Sequence, residues 1–339
     1  MQKIKKIYKF ILKEKRMLTY SEILRGLNIK KQKMPLPSFV QIEPTTRCNL
    51  NCVMCTRSKM NRNRLNHDLS FEQFKKILQE IPSVRTIKLQ GMGEPLLNEN
   101  LFAMTEYGRK KGIRFVTTIN GTLINANNID LILKNFQEIT ISLDVANSKD
   151  YLNIRRADCF EVVKKNIRLL IQRREELKSK NKIAINSVIS HLNYKEIPKI
   201  IELAKECGID AIGFVEVENW KTPLEQDYQS ELNFIQQARK LSKEIERLIL
   251  EAKKQNSLEI NYFVVNKRKE NCLWPFYYCF ITVDGFITPC CIRMDPDVIN
   301  FGNIFQESFE KIWNGEKYQN FRKTIIKNLA NQICDNCPD

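Results

Sequence analysis

Along the chain, short apolar runs alternate with segments of helical period. Phe39-Val40-Gln41-Ile42-Glu43 reads as a strand. Ser70-Phe71-Glu72-Gln73 has the spacing of a capping box and opens a helix to about Ile81. Arg85–Gln90 is a strand, Asn100–Gly112 a helix, Arg114–Ile119 a strand and Asn127–Asn135 a helix. Glu138–Asp144 then reads as a strand, Phe160–Lys178 as a long helix, Ile183–Ile189 as a strand, Ile197–Cys207 as a helix and Ala211–Val217 as a strand. Six strands joined by helical crossovers predict a parallel sheet with helices outside it, either an open doubly wound sheet or a barrel. In both, the site lies at the C-terminal ends of the strands.

The flanks read differently. Ile4, Ile7, Tyr8, Ile11 and Leu12 form one apolar face of an amphipathic helix whose other face is rich in lysine. Met34-Pro35-Leu36-Pro37 breaks that pattern as a linker. After the last strand, Glu218–Gln229 is a polar loop or hinge and Ser230–Gln255 a long helix. From Asn256 the composition turns rich in Cys, Pro and aromatics, marking a small second module. This divides the chain into 1–37, a core at 38–217, a linker and long helix at 218–255, and a Cys-rich domain at 256–339.

Charge changes the picture only at the N-terminus. The chain has 339 residues and a net charge of +16, from 55 Lys and Arg against 39 Asp and Glu. Residues 1–33 hold 11 of those basic residues and two Glu, so over half of the charge belongs to one arm. A charge run of this kind is ordinarily a solvated face. Its functional readings are weak contact with an anionic membrane surface or binding of nucleic acid. No apolar run approaches the ~20 residues of a membrane span.

The cysteines say more. There are 11 against two histidines, and an odd number cannot pair completely into disulfides. The N-terminal apolar run is too short for a signal peptide, so the expected location is a reducing cytoplasm, where clustered thiols read as metal or iron–sulfur ligands. Cys48, Cys52 and Cys55 have the spacing C-x3-C-x2-C directly after the first strand. Three thiolates suit three corners of a cubane cluster and leave one iron open. The plain alternative is a zinc knuckle or a group of core thiols.

With this triad the sequence resembles the radical S-adenosylmethionine (radical SAM) superfamily, with Met54 where an aromatic usually precedes the third cysteine. Gly91-Met92-Gly93-Glu94-Pro95, ending the second strand, is similar to that family's glycine-rich segment with Met92 inserted. The resemblance implies that Gly91, Met92, Gly93 and Glu94 hold the SAM amino group. It implies that Ser142 and Arg155 hold the SAM carboxylate, and that Asn120 lines the adenosine site. For the core, it implies a partial (β/α)6 TIM-type barrel of parallel strands.

The tail resembles the SPASM/twitch extension of radical SAM enzymes, a small α+β Cys-rich domain. The matching segments are Trp274-Pro275, a hairpin turn at Asp284-Gly285, Pro289-Cys290-Cys291, Phe301-Gly302-Asn303-Ile304, Ile312-Trp313-Asn314 and Cys334-Asp335-Asn336-Cys337. The resemblance to the shorter twitch form implies one auxiliary 4Fe–4S cluster on Cys272, Cys290, Cys334 and Cys337, with Cys291 competing with Cys290. The alternative is a structural zinc site with four cysteine ligands. Of the remaining cysteines, Cys207 reads as core, and Cys159 and Cys279 are weak candidates for a hydrogen donor to a substrate radical. Glu216 and Glu218, ending the last core strand, are weak candidates for a base or substrate contact. His67 and His191 read as satisfied polar residues.

The resemblance implies an enzyme that cleaves SAM reductively to a 5′-deoxyadenosyl radical, which abstracts hydrogen from a substrate carbon. The substrate is a peptide or a sugar-like small molecule such as an aminocyclitol, and the basic surface suits an acidic one. A flavodoxin- or ferredoxin-type protein is the implied electron donor. The rivals are an iron–sulfur electron carrier, which needs no SAM pocket, and a nucleic-acid-binding protein using the basic arm.

Overall fold

The strands of the core alternate two kinds of residue. Val40 and Ile42, Ile87 and Leu89, Ile139 and Ile141 are fully buried. The residues between them, Gln41, Lys88 and Thr140, are polar. Buried parallel strands are usually apolar on both faces. Here one face packs on helices and the other lines a lumen.

The computed structural model describes residues 20–27, 29–217, 236–255, 258–263, 272–327, 329 and 333–334. The amphipathic helix read over residues 4–12, Glu218 and Cys337 lie outside these. Seven strands run parallel: β1 (Phe39–Ile42), β2 (Thr86–Leu89), β3 (Arg114–Ile119), β4 (Glu138–Ser142), β5 (Lys182–Ile189), β6 (Ala211–Glu216) and β7 (Glu259–Phe263). Two short strands, β8 (Phe280–Ile281) and β9 (Ile287–Thr288), complete a nine-stranded sheet in the order β7-β6-β5-β4-β3-β2-β1-β8-β9. β8 runs parallel to β1, pairing Gln41 with Phe280 and Ile42 with Ile281. Among the described strands of the sheet, β8 and β9 alone pair antiparallel, and their hairpin turns at the expected Asp284-Gly285. The six core strands read from the sequence are present, and the α/β partial-barrel architecture holds. β7 extends the sheet beyond them, pairing Ala211 with Glu259 through Val215 with Phe263.

Helices cover the apolar face. They are α2 (Phe71–Glu80), α3 (Leu101–Lys110), α4 (Ile129–Asn135), α5 (Ser148–Arg155), α6 (Phe160–Glu176), α7 (Ile197–Glu206) and α8 (Ser242–Gln255), while α1 (Tyr20–Gly26) lies against the C-terminal module, its Arg25 donating to Tyr278 Oη at 3.0 Å. The capping box of α2 forms as its sequence dictates. Ser70 Oγ accepts from Gln73 N–H, and Gln73 Oε1 accepts from Ser70 N–H at 2.9 Å. Cys207 is buried at the end of α7. Among the described residues, no helix is long and apolar enough to cross a membrane.

The C-terminal module carries α9 (Trp274–Tyr277), α10 (Phe309–Trp313) and α11 (Glu316–Ile326). It clasps the segment before β1: Trp313 Nε1 donates to Pro35 O at 3.0 Å, and Asn314 bonds both the N–H and C=O of Met34. Arg322 of α11 is fully buried. It donates to the carbonyls of Pro275 (2.6 Å), Gln32 (2.8 Å) and Trp313 (2.7 Å). Its guanidinium lies 4.2 Å from the Trp313 ring centroid and 4.3 Å from that of Tyr318. A planar fork with several donors satisfies three separated carbonyls at once. Arg322→Met leaves those carbonyls without donors inside the protein. It is expected to cost about 3 kcal/mol of stability, read as a lower urea midpoint at unchanged m-value.

Candidate active site

The loop after β1 brings Cys48, Cys52 and Cys55 to the rim of the lumen. Cys55 N–H donates to Cys52 O at 3.1 Å, which closes a turn between the second and third thiols. Val53 N–H donates to Ile154 O at 2.9 Å, tying the loop to α5. Asn49 accepts from Asn120 Nδ2 and donates to Thr122 Oγ1, both at 2.8 Å, tying it to the end of β3. The three thiols line a cavity of about 590 Å³. Burial pushes the Cys55 thiol up to about 11 and the Cys48 thiol upward, with Arg57 and Arg155 opposing it weakly.

The glycine-rich segment forms the next wall. A Cβ on Gly91 would overlap the Glu43 side chain, and one on Gly93 would collide with the Thr45 and Arg47 carbonyls. Only glycine lets this backbone lie against the cysteine loop. Glu43, which sequence reasoning did not single out, is buried at the end of β1. It accepts from Met92 N–H at 2.9 Å and from Val283 N–H at 3.2 Å, and burial pushes its carboxyl up to about 7. Glu94 is the residue that the resemblance assigns to the SAM amino group. Its oxygens accept from Leu96 N–H (3.2 Å) and Asn120 N–H (2.7 Å), which fixes the segment to the end of β3. Burial pushes it also to about 7.

Ser142 and Arg155 line the same cavity. Arg155 is not free: its Nη2 lies 2.5 Å from Asp144 Oδ2, and its Nη1 donates to Cys52 Sγ at 3.6 Å. Its Nε is buried without a partner. Asp144 is also new to the site. Burial raises its carboxyl, opposed by Arg155 and by the Val188 N–H that it accepts at 2.8 Å. Glu216 lines the cavity too, accepting from Tyr262 Oη and, at 3.2 Å, from Ser242 Oγ. Cys159 and Cys279 are not among the cavity-lining residues. The Cys159 thiol donates to Tyr151 Oη at 3.7 Å, and Cys279 is fully buried in the core.

In the C-terminal module, Cys290 is held in a turn in which Arg293 N–H donates to its sulfur at 3.4 Å, and Cys272 bears on it electrostatically. Arg293 Nε donates to Ile333 O at 2.5 Å, which brings the neighbour of Cys334 to the same turn. Burial pushes the Cys290 thiol up to about 12. Cys291 faces the other way and lines the cavity.

Residues 42–204 match the radical SAM superfamily profile, and residues 272–338 match the SPASM iron–sulfur cluster-binding domain. The chain belongs to the radical SAM superfamily. It is 28% identical over 312 residues to an AdoMet-dependent heme synthase of Methanosarcina barkeri, covering 84% of this chain and 85% of that protein. It is 24% identical over 320 residues to the tungsten-containing aldehyde ferredoxin oxidoreductase cofactor-modifying protein of Pyrococcus furiosus, covering 88% and 86%. In fold it is similar to Streptococcus suis SuiB bound to its precursor peptide SuiA, with TM-score 0.66, 17% identity, and coverage of 95% of this chain and 76% of that one.

The cofactors of this radical SAM chain are SAM, its 4Fe–4S cluster and the SPASM iron–sulfur cluster. Among the described residues, no three Cys, His, Asp or Glu side chains close on a single metal position. A cubane spreads its iron corners farther apart, each taking one thiolate. Three thiols, the glycine-rich segment and Arg155 on one cavity fit a cluster with an amino acid bound beside it.

Two outcomes follow. Gly93→Ala is expected to weaken SAM binding at least tenfold, or about 1.4 kcal/mol, with the circular dichroism unchanged, measured by equilibrium dialysis of the reconstituted protein. Glu43 has a carboxyl at about 7 in the fold against 4.5 when solvated. Its contribution to stability is therefore present below about 4.5 and lost as pH rises through about 7. Urea unfolding at pH 5 and pH 8 is expected to show that fall, and Glu43→Gln to reduce it, the remainder belonging to Glu94, which burial raises in the same way.

Proposed function

We propose that this chain is a radical SAM enzyme that abstracts hydrogen from a peptide or sugar-like substrate held in the barrel lumen, with one auxiliary 4Fe–4S cluster supporting oxidation or modification. One observation carries this reading: the three-cysteine loop, the glycine-rich segment and Arg155 line a single cavity at the C-terminal ends of the strands. When bound, the cluster and SAM supply reductive cleavage to a 5′-deoxyadenosyl radical. The protein's own residues bind, orient and exclude water. Cys48, Cys52 and Cys55 hold the cluster, and Gly91 and Gly93 let their segment lie against Glu43 and the start of the cysteine loop, which sets its backbone beside the cluster for the SAM amino group. Arg155, oriented by Asp144, offers its remaining donors to the SAM carboxylate.

The placement of Cys290 and Cys291 supports Cys290 as the auxiliary ligand beside Cys272, Cys334 and Cys337. The lumen has to receive both SAM and the reacting part of the substrate. A compact molecule, or one extended segment of a larger one, suits it best. SuiB was solved with a precursor peptide, whereas the two matched relatives bear the names of a heme synthase and a cofactor-modifying protein. They support the reaction class more than any one substrate. A flavodoxin- or ferredoxin-type protein is the proposed electron donor.

Anaerobic reconstitution followed by reduction with dithionite and SAM is expected to release 5′-deoxyadenosine, with about eight iron per chain for two cubanes. Cys52→Ala is expected to release none and to keep about four iron. Equal product from Cys52→Ala and the unaltered protein would sink the reading.

A further inference from the structure

Most of the barrel lumen is lined by uncharged groups, with Lys88 and Lys182 in the row at its floor. On β2, Ile87 and Leu89 are buried against the helices, and Lys88 and Gln90 line the cavity between Gln41 of β1 and Thr118 of β3. Strand register places Lys88 beside Gln41 on one side and Val116 on the other, with Glu138 next in the same row. Barrels of this type ordinarily fill their interior with bulky branched side chains. Among the residues that β5 and β6 give to the cavity wall, Ala184, Ala211 and Gly213 are small, beside the larger Asn186, Val188 and Val215, and they leave room in the lumen beside the row of Lys88.

Lys88 is half-buried and lines this cavity. No carboxylate among the described residues lies within 4.0 Å of its ammonium. The charged and titratable groups that face it are Cys291, from the loop after β9, and Glu138 of β4. The other lysine of the row, Lys182, is engaged by Glu259 at 3.0 Å. Two residues along the same face, Gln90 Oε1 is buried without a partner. A lysine withdrawn from bulk water without a carboxylate at contact distance is unfavourable unless an anion compensates it.

We infer that Lys88 anchors an anion subsite at the floor of the lumen, which takes a carboxylate or phosphate group of the substrate. The ammonium has three donors and no acceptor, so it can serve an anion and Gln90 Oε1 together. The open β5–β6 wall gives the anion its path, and Glu138 and Cys291 flank it. This inference rests on the lumen being the place of reaction, and it adds that the substrate is anionic and enters with its charge foremost.

The test is equilibrium dialysis of the full chain, as isolated, with inorganic phosphate and with glutarate, against potassium chloride at equal ionic strength and glucose as a neutral control. Binding of phosphate or glutarate above the chloride background is expected, weakened at least tenfold in Lys88→Met and unchanged in Lys165→Met, an exposed lysine on α6. Preference for phosphate or for glutarate assigns the group. Absence of binding to both anions, or equal binding by Lys88→Met, overturns the inference. Should Lys88→Met not fold, Lys88→Gln keeps a polar group in the lumen and replaces it. Dialysis needs no cluster, so it judges the subsite independently of whether 5′-deoxyadenosine forms.

Discussion

The arrangement turns on one buried carboxylate. Glu43, at the end of β1, accepts from the backbone of the glycine-rich segment through Met92 and from the hairpin of the C-terminal module through Val283. A carboxylate this deep is tolerated only when its oxygens are satisfied. Those two N–H groups therefore have to be where they are, and Gly91 has to be bare for the side chain to fit between them. Arg64 reinforces the join from the cysteine-loop side, donating to Asp284 at 3.0 and 3.1 Å and lying 3.4 Å from Asp295. The segment assigned to SAM and the module assigned to the auxiliary cluster thus share one anchoring point. β1 and β8, which carry them, are themselves paired.

The second constraint is the two-faced character of the parallel strands. Apolar burial against the helices holds the outer layer together, so the inner face is released from packing duty. Its Gln, Thr, Ser and Asn side chains can then be chosen for contact with a polar guest, and Ala184, Ala211 and Gly213 for room. Small residues inside a barrel give up dispersion contacts that bulkier ones would make. Here they line a wall of the cavity on which the cysteine loop and Arg155 also open.

Much of this was legible in the sequence where the signal is local. The three-cysteine spacing, the capping box at Ser70, the Asp284-Gly285 turn and the glycines of the second strand's end are each set within a few residues, and each is found in its expected place. What was not legible depends on the chain returning from far away. Glu43 looked like the last residue of a strand until Val283 came to it across 240 positions. Lys88 in the sequence is one of many lysines, and only strand parity turns it inward. β7 lies beyond a polar stretch and a long helix, so nothing nearby announced that it continues the sheet. Cys290 and Cys291 could not be ranked by spacing, because they are adjacent and only the turn after β9 decides which way each thiol points. The fold makes that difference visible, turning one thiol toward Cys272 and the other into the lumen.

The Arg155–Asp144 pair bears on whether an occupied arginine can still serve as a carboxylate ligand. A guanidinium carries five N–H donors in a fixed plane. Asp144 uses the Nη2 side and Cys52 sulfur the Nη1 side, which leaves the buried Nε among the donors still to be satisfied. A buried ion pair whose remaining donors stay unsatisfied is a net cost, and one completed by a further acceptor is not. Asp144 also holds the arginine in plane, because its other oxygen is fixed by Val188 N–H on the neighbouring strand. Ser142, two residues earlier on β4, projects from the same face of the strand into the same cavity. The pairing that at first competes with a ligand role for Arg155 therefore supplies its orientation, and the hydrogen bond to Cys52 links that orientation to the cysteine loop.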